Sequence, residues 1–208
     1  MSTKQRLSDF NRTNILEAAK MLFITRGINQ TTMDDIAKAA DYSKSTIYVY
    51  FKSKDEIYHY LILEHFELLK SEMEKALKGN LDFNSGYFAI CDTLVDLQEK
   101  HPLFFESIMG EIKMPKDEND TVLIKIYQVG EEINDILLTF LKTHIESGRV
   151  NLDMSVLQLT LTLQASICAI ILMADKKEAY LNKAGISKNQ FKQDGFKFLL
   201  KSLSGKEN

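Results

Sequence analysis

Apolar residues recur with a helical period along most of this chain and hardly anywhere with the alternation of a half-buried strand. Ile15, Ala18, Ala19, Leu22 and Phe23 fall at i, i+3, i+4, i+7 and i+8, which predicts an amphipathic helix running to Arg26. Gly27 is the expected residue past its end, reaching a left-handed conformation without a Cβ penalty. Thr32 reads as the next N-cap, with Asp35 as the acidic half of a capping box. Ile36, Ala37 and Ala40 then line one face, and Asp41-Tyr42 interrupts the pattern. Ser43 caps a third helix, whose buried side is Ile47 with Tyr50 or Phe51. Helices this short must pack on something else, and Ala37, Ala39 and Ala40 are small enough to let a second helix cross closely. Residues 11–51 are therefore expected to form three helices around one small core, with a helix-turn-helix over 32–51 that would place a short helix in DNA.

Six further helices are predicted downstream. Ser53 and Glu56 make another capping box and open a long helix to about Lys78, with Ile57, Tyr60, Leu61, Leu68 and Leu69 apolar. The next spans 84–100, carrying Tyr87, Ile90, Cys91, Leu94 and Val95 on one side. Pro102 suits the first position of a short helix through Met109. The segment MPKDEND reads as a charged loop, and 121–147 as a long helix closed by Gly148.

Residues 156–174 require a choice. They carry no charge, a length near the lower limit for a membrane span, and their first half alternates at Gln158, Thr160, Thr162 and Gln164. Scattered polar side chains and the lack of a basic flank argue against a membrane. The absence of any partner strand argues against β structure. A helix apolar nearly all round is buried on two sides, one in its own bundle and the other against a partner chain. Residues 188–203, with Phe191, Phe196, Phe198, Leu199 and Leu203, supply a second helix for that contact. A homodimer is expected, the alternative being a monomer that buries both faces internally.

Composition narrows the picture. Two Pro, nine Gly and 45% hydrophobic residues suit a compact helical protein of one or two domains. Residues 1–54 hold nine Lys/Arg against five acids, so a net charge of +4 sits on a chain whose total is −3. A basic head on an acidic body fits DNA binding at one end, because phosphate neutralisation needs local charge. Cys91 and Cys168 offer neither a disulfide framework nor zinc spacing and read as small buried thiols. The opening MSTKQRLSDF has no apolar signal core, which predicts a cytoplasmic protein. Glu56-x-x-His59 matches half of a carboxylate-bridged metal motif, but it occurs once and Glu56 is better used as a cap. No Gly-rich phosphate loop or nucleophile elbow occurs, so no enzyme, catalytic residue, metal or cofactor is expected.

The run from Ile15 to Ile57 resembles the N-terminal domain of the TetR/AcrR family of bacterial transcriptional regulators. The landmarks are Ala18, Phe23, Gly27, Thr31-Thr32, Asp35-Ile36-Ala37, Ser43 to Tyr48, Tyr50-Phe51 and Lys54. One departure is Asp41, where the family usually has Gly, which predicts a slightly strained turn. The resemblance implies an all-α protein: a three-helix DNA-binding domain over 9–69, then a larger helical ligand-binding and dimerisation bundle over 70–208. It implies a palindromic double-stranded DNA operator, a homodimer, no membrane, and repression relieved by an unidentified apolar or aromatic effector. A helical adaptor without ligand sensing is the alternative. By the same carry-over, Ser43, Lys44, Ser45, Thr46, Tyr48 and Val49 belong to the exposed recognition helix. Tyr50, Lys52 and Lys54 sit at phosphate, as do Thr31 or Thr32, while Ile47 and Phe51 belong to the core. Expected ligand-lining residues are Phe88, Cys91, Phe104, Phe105, Met109, Tyr127 and Phe140. Leu163, Ile167, Ile170, Phe191, Phe198 and Leu199 are expected at the dimer interface.

Overall fold

The computed structural model describes residues 2–79, 81–110, 120–147 and 154–203. Its elements are α1 (Thr3–Arg26), α2 (Met33–Ala39), α3 (Lys44–Tyr50), α4 (Lys54–Ala76) and α5 (Phe83–Lys100). They continue with α6 (Pro102–Phe105), a 3₁₀ turn over Glu106–Met109, α7 (Thr121–Glu146), α8 (Val156–Lys176), α9 (Glu178–Lys183) and α10 (Lys188–Leu203). The fold is all-α, with no strand among the described residues. The expected loop over 114–119 and the closing Gly148 lie outside those residues.

The described parts of 1–66 and 112–128 form one compact unit. Its core is Ile15, Ala19 and Phe23 of α1, Ile36, Ala37 and Ala40, then Ile47, Phe51, Ile57 and Leu61, all buried. The Arg12 guanidinium covers this core, 4.6 Å from the Phe51 ring centre and 4.0 Å from that of Tyr60. α1 begins earlier than the apolar period suggests, because Ser2 caps it by accepting from the Gln5 amide. Gly27 lies at φ 80°, ψ 156°, which is not the left-handed helical conformation expected but an extended, positive-φ region open essentially to glycine alone.

The described parts of 67–111 and 129–208 form the second unit. α8 is long and apolar enough to cross a membrane by length and composition. It is nevertheless helical throughout and packed within the bundle against α5 and α10. Gly195 of α10 lies at the second contact, where an added Cβ would stand 3.0 Å from the end of Ile170 and that side chain would have to give by a few tenths of an ångström. Polar links then pin the ends: Lys192 Nζ to Glu99 at 2.8 Å, Lys188 Nζ to Asp175 at 3.1 Å, and Gln98 to Asp175. Tyr87 donates to the Phe196 carbonyl at 2.9 Å, and burial pushes its phenol well above the usual range. The free thiols of Cys91 and Cys168 are buried, and that burial pushes both up to about 12, which keeps them unreactive.

Candidate nucleic-acid interface

The turn that aims α3 is built by hydrogen bonds that the sequence largely dictates. Thr32 accepts from the Asp35 amide at 3.2 Å, and its own amide donates back to Asp35 Oδ2 at 2.9 Å, completing the capping box of α2. The Thr32 hydroxyl, which donates to Asp35 Oδ2 at 2.6 Å, and then the Thr32 amide hold the Asp35 carboxyl below the usual carboxylate range. At the far end the Tyr42 amide reaches the Ala37 carbonyl at 2.9 Å and the Asp41 amide reaches Lys38 at 3.3 Å. That is a Schellman ending, with Asp41 as the left-handed residue at φ 58°. Asn14 of α1 donates to the Ala40 carbonyl at 3.1 Å, tying the same turn to the first helix.

α3 then leaves the turn with Ile47 buried and its other side in water. Ser43 caps it by accepting from the Thr46 amide at 3.1 Å, and its hydroxyl lies 2.8 Å from those of both Ser45 and Thr46. Tyr48 is about half exposed and Val49 is 78% exposed, an uncompensated loss for a β-branched side chain unless something covers it. Lys44 bonds Asp34 at 2.7 Å, and that contact raises its pKa while both side chains stay exposed.

The flanking positions divide. Lys52 is exposed, and its amide donates to Glu56 Oε2 at 2.5 Å. Tyr50 Oη accepts from Asn11 Nδ2 at 2.9 Å, while Tyr42 donates to Asn11 Oδ1 at 2.8 Å. With its oxygen so engaged, Tyr50 keeps its own proton for an outside acceptor. Two expectations are corrected. Thr31 is 1% exposed and its hydroxyl donates to the Gly27 carbonyl at 2.9 Å, so of the two threonines only Thr32 faces solvent. Lys54 Nζ donates to the Ile28 carbonyl at 2.7 Å, so its charge braces the loop after α1. The residues that sequence reasoning missed, Asn11, Arg12 and Asn14, lie on α1 and reach across to Tyr42 and Tyr50, to the Phe51 and Tyr60 rings, and to the Ala40 carbonyl. An Asn pair spaced i, i+3 beside a helix-turn-helix was the available signal.

In the second unit, the seven expected ligand residues are not brought together. An apolar cleft of about 30 Å³ is lined by Tyr87, Ile90, Leu94, Leu137, Phe140, Leu141, Thr160, Leu163, Gln164 and Ile167, so Phe140 is the shared member. Phe104, Phe105 and Cys91 are sealed in the core, Met109 is exposed, Phe88 is half-buried, and Tyr127 belongs to the first unit. The dimer expectation is also displaced. Leu163 and Ile167 point into their own bundle and Ile170 rests on Gly195, whereas Phe198 is 73% exposed and Phe191 and Leu199 are half-buried. The outward ridge of α8 is instead Leu157, Leu161, Ala165, Ala169 and Met173, all exposed at spacing i+4.

Comparison with known proteins agrees with this geometry. Residues 15–61 match the family described as bacterial regulatory proteins, tetR family. The HTH-type transcriptional regulator YhgD of Bacillus subtilis is 27% identical over 134 residues, 64% of this chain and 66% of its own length. IcaR of Staphylococcus aureus, the negative transcriptional regulator of the biofilm operon icaADBC, is 25% identical over 62% of this chain and 79% of its own. Among solved structures, the TetR family regulator PfmR of Thermus thermophilus has a TM-score of 0.60 at 25% identity, over 76% of this chain and 84% of its own. FadR of Bacillus subtilis, solved in complex with stearoyl-CoA, has a TM-score of 0.67 over 90% and 96% of the two chains at 20% identity, a likeness of fold. The matched segment contains α2, α3 and the parts of α1 and α4 that pack on them, the elements that cap, brace and present the exposed helix; the chain is a transcriptional regulator of the TetR family.

Proposed function

We propose that the chain is a homodimeric repressor that reads a palindromic operator with α3 and is released by a small apolar or aromatic molecule bound between residues 70 and 208. The observation that carries the DNA part is the outward face of α3, where Ser45, Tyr48 and Val49 stand exposed beside Lys44 and Lys52. Hydroxyls and a methyl-bearing side chain suit base edges, and the flanking amines and the Tyr50 hydroxyl suit phosphate. Ser43, Thr46 and Thr32 complete this surface at the helix starts. The uncharged α8 ridge with Phe198 supports a second copy as its cover, and two heads would then meet half-sites about 34 Å apart. Repression is supported by the likeness to IcaR, and an effector by FadR, whose structure holds stearoyl-CoA. Release would act through α4, which begins just after Phe51-Lys52-Ser53 and contributes to both units, with a coupling of about 1–3 kcal/mol.

The test is selection of duplexes from a random pool, then fluorescence titration at several salt concentrations. Enrichment of a palindrome bound with a steep salt dependence is expected. Recovery of no preferred sequence, or binding indifferent to salt, would instead make the chain a helical adaptor.

A further inference from the structure

The two amines that flank α3 are held differently. Lys52 is exposed, and its amine has no ion pair among the described residues. Lys44 is the first residue of α3, and its Nζ lies 2.7 Å from Asp34 Oδ1 of α2. Neither Lys44 nor Asp34 has another ion pair among the described residues.

Both ends of this contact stand on fixed backbone. Asp34 belongs to the first turn of α2, whose start is locked by the Thr32–Asp35 capping box, and Lys44 follows the Ser43 cap. Helix electrostatics favour a carboxylate in a first turn, whereas an ammonium there meets unpaired backbone N–H groups. α3 has no acid in its own first turn, so the charge that offsets Lys44 is supplied by α2. Asp35 is taken up by the capping box, while the Asp34 carboxylate is directed at Lys44. An exposed carboxylate beside the recognition helix repels phosphate, so its presence there calls for a compensating role.

The chemistry of the ammonium supplies one. A lysine amine has three N–H donors on a flexible four-carbon stem. The contact with Asp34 uses one donor, leaves two for an outside acceptor, and restricts where the amine sits. Both side chains remain more than half exposed, so that position is open to DNA.

We infer that Asp34 is a positioning residue for operator specificity, which fixes the Lys44 amine at the one place where the seated α3 meets a phosphate. On the operator, Lys44 keeps Asp34 and donates its remaining N–H groups to that phosphate. On other duplexes α3 is not seated in register, and Lys44 must leave Asp34 to reach a phosphate. Leaving an exposed ion pair costs at most about fivefold in an equilibrium, a penalty that falls on the wrong duplex alone. Lys52, held by nothing, contributes to both complexes alike. This rests on the reading that Lys44 and Lys52 meet phosphate.

The full chain is titrated in parallel against a duplex recovered by selection and a duplex of the same composition in shuffled order, at several salt concentrations. Asp34→Asn should raise affinity for the shuffled duplex about threefold and steepen its salt dependence, with operator affinity nearly unchanged, so that preference falls about threefold. A merely structural loss would lower both affinities. In a Lys44→Ala background the same substitution should leave the preference unaltered, because Asp34 acts through that amine. Lys52→Ala should weaken both duplexes equally, whereas Lys44→Ala should weaken the operator more, a comparison that does not depend on the Asp34 variant folding. A wild-type chain with no preferred duplex sinks the regulator reading and the inference with it. A clear wild-type preference that survives Asp34→Asn, or an equal effect of Asp34→Asn with and without Lys44, or equal losses on the two duplexes in Lys44→Ala, would overturn the inference alone.

Discussion

α3 and α8 both hold apolar side chains in water, and their surroundings separate the two cases. On α3, Val49 and Tyr48 are ringed by hydroxyls, with Lys44 and Lys52 on the flanks. On α8, Leu157, Leu161, Ala165, Ala169 and Met173 form an unbroken ridge, interleaved with uncharged Gln and Thr side chains and Ser166. A single exposed methyl pair beside amines fits a thymine methyl over a phosphate backbone. A five-residue ridge at i+4 spacing fits the groove of another helix. Exposure alone does not name a partner; the charge around it does.

The sharpest way to break this contrast is to charge the α8 ridge. Leu161→Glu places a carboxylate on an exposed position, so the protomer should stay folded while the dimer separates in sedimentation. With two half-sites no longer linked, operator affinity should fall by about 10²–10⁴. Ile167→Glu, on the inward side of the same helix and buried, should unfold the second unit instead. A Leu161→Glu protein that remains dimeric would move the interface elsewhere.

The amines of the first unit test the other half of the comparison. Lys44→Ala and Lys52→Ala should each lower the slope of log affinity against log salt by about 0.9, as expected for one phosphate contact. Lys54→Ala should leave the slope unchanged and lower the melting temperature, because its ammonium holds the Ile28 carbonyl. A slope that responds to Lys54 and not to Lys52 would reverse the assignment.

Asn11 offers a subtler probe, since it fixes Tyr50 and Tyr42 without facing the solvent side of α3. Asn11→Ala frees the Tyr50 hydroxyl and should weaken operator binding by about 1 kcal/mol, with base preference intact. Equal loss in Asn11→Ala and in the double variant with Tyr50→Phe would show that the two act as a unit; additive losses would show that they do not.

Much of this was legible in the sequence wherever local chemistry decides structure. The capping box at Thr32–Asp35 and the bounds of α10 at 188–203 follow from side chains a few residues apart. What escaped depends on tertiary contacts or on a missing period. α9 buries only Leu181, and the first turns of α1 expose Leu7 and Phe10, so neither carries an apolar stripe. α8 is apolar nearly all round, and such a helix has no period to say which face turns inward. Leu163 and Ile167 were therefore as good candidates for the interface as Leu161 and Ala165. Thr31 and Thr32 are chemically alike, and only the fold shows that one bonds Gly27 and the other caps α2.

The smallest expected effect is at Asp41, where the sequence departs from its family and the backbone carries the consequence. Its φ of 58° places a Cβ in the left-handed region, which costs an L-residue roughly 1–2 kcal/mol. Asp41 is exposed and makes no hydrogen bond through its side chain among the described residues, so nothing local offsets that strain. Glycine would remove the clash but lose more entropy on folding, which takes back part of the gain. Asp41→Gly should therefore stabilise the turn by about 0.5–1 kcal/mol, a rise of roughly 1–4 °C in melting temperature for a chain of this size. The Schellman bonds from Tyr42 to Ala37 and from Asp41 to Lys38 use backbone atoms alone and survive the change. Operator affinity should stay the same or rise slightly, since an acid beside the recognition helix repels phosphate. A lowered melting temperature would mean that the Asp41 side chain stabilises the turn through solvent in a way its geometry does not reveal.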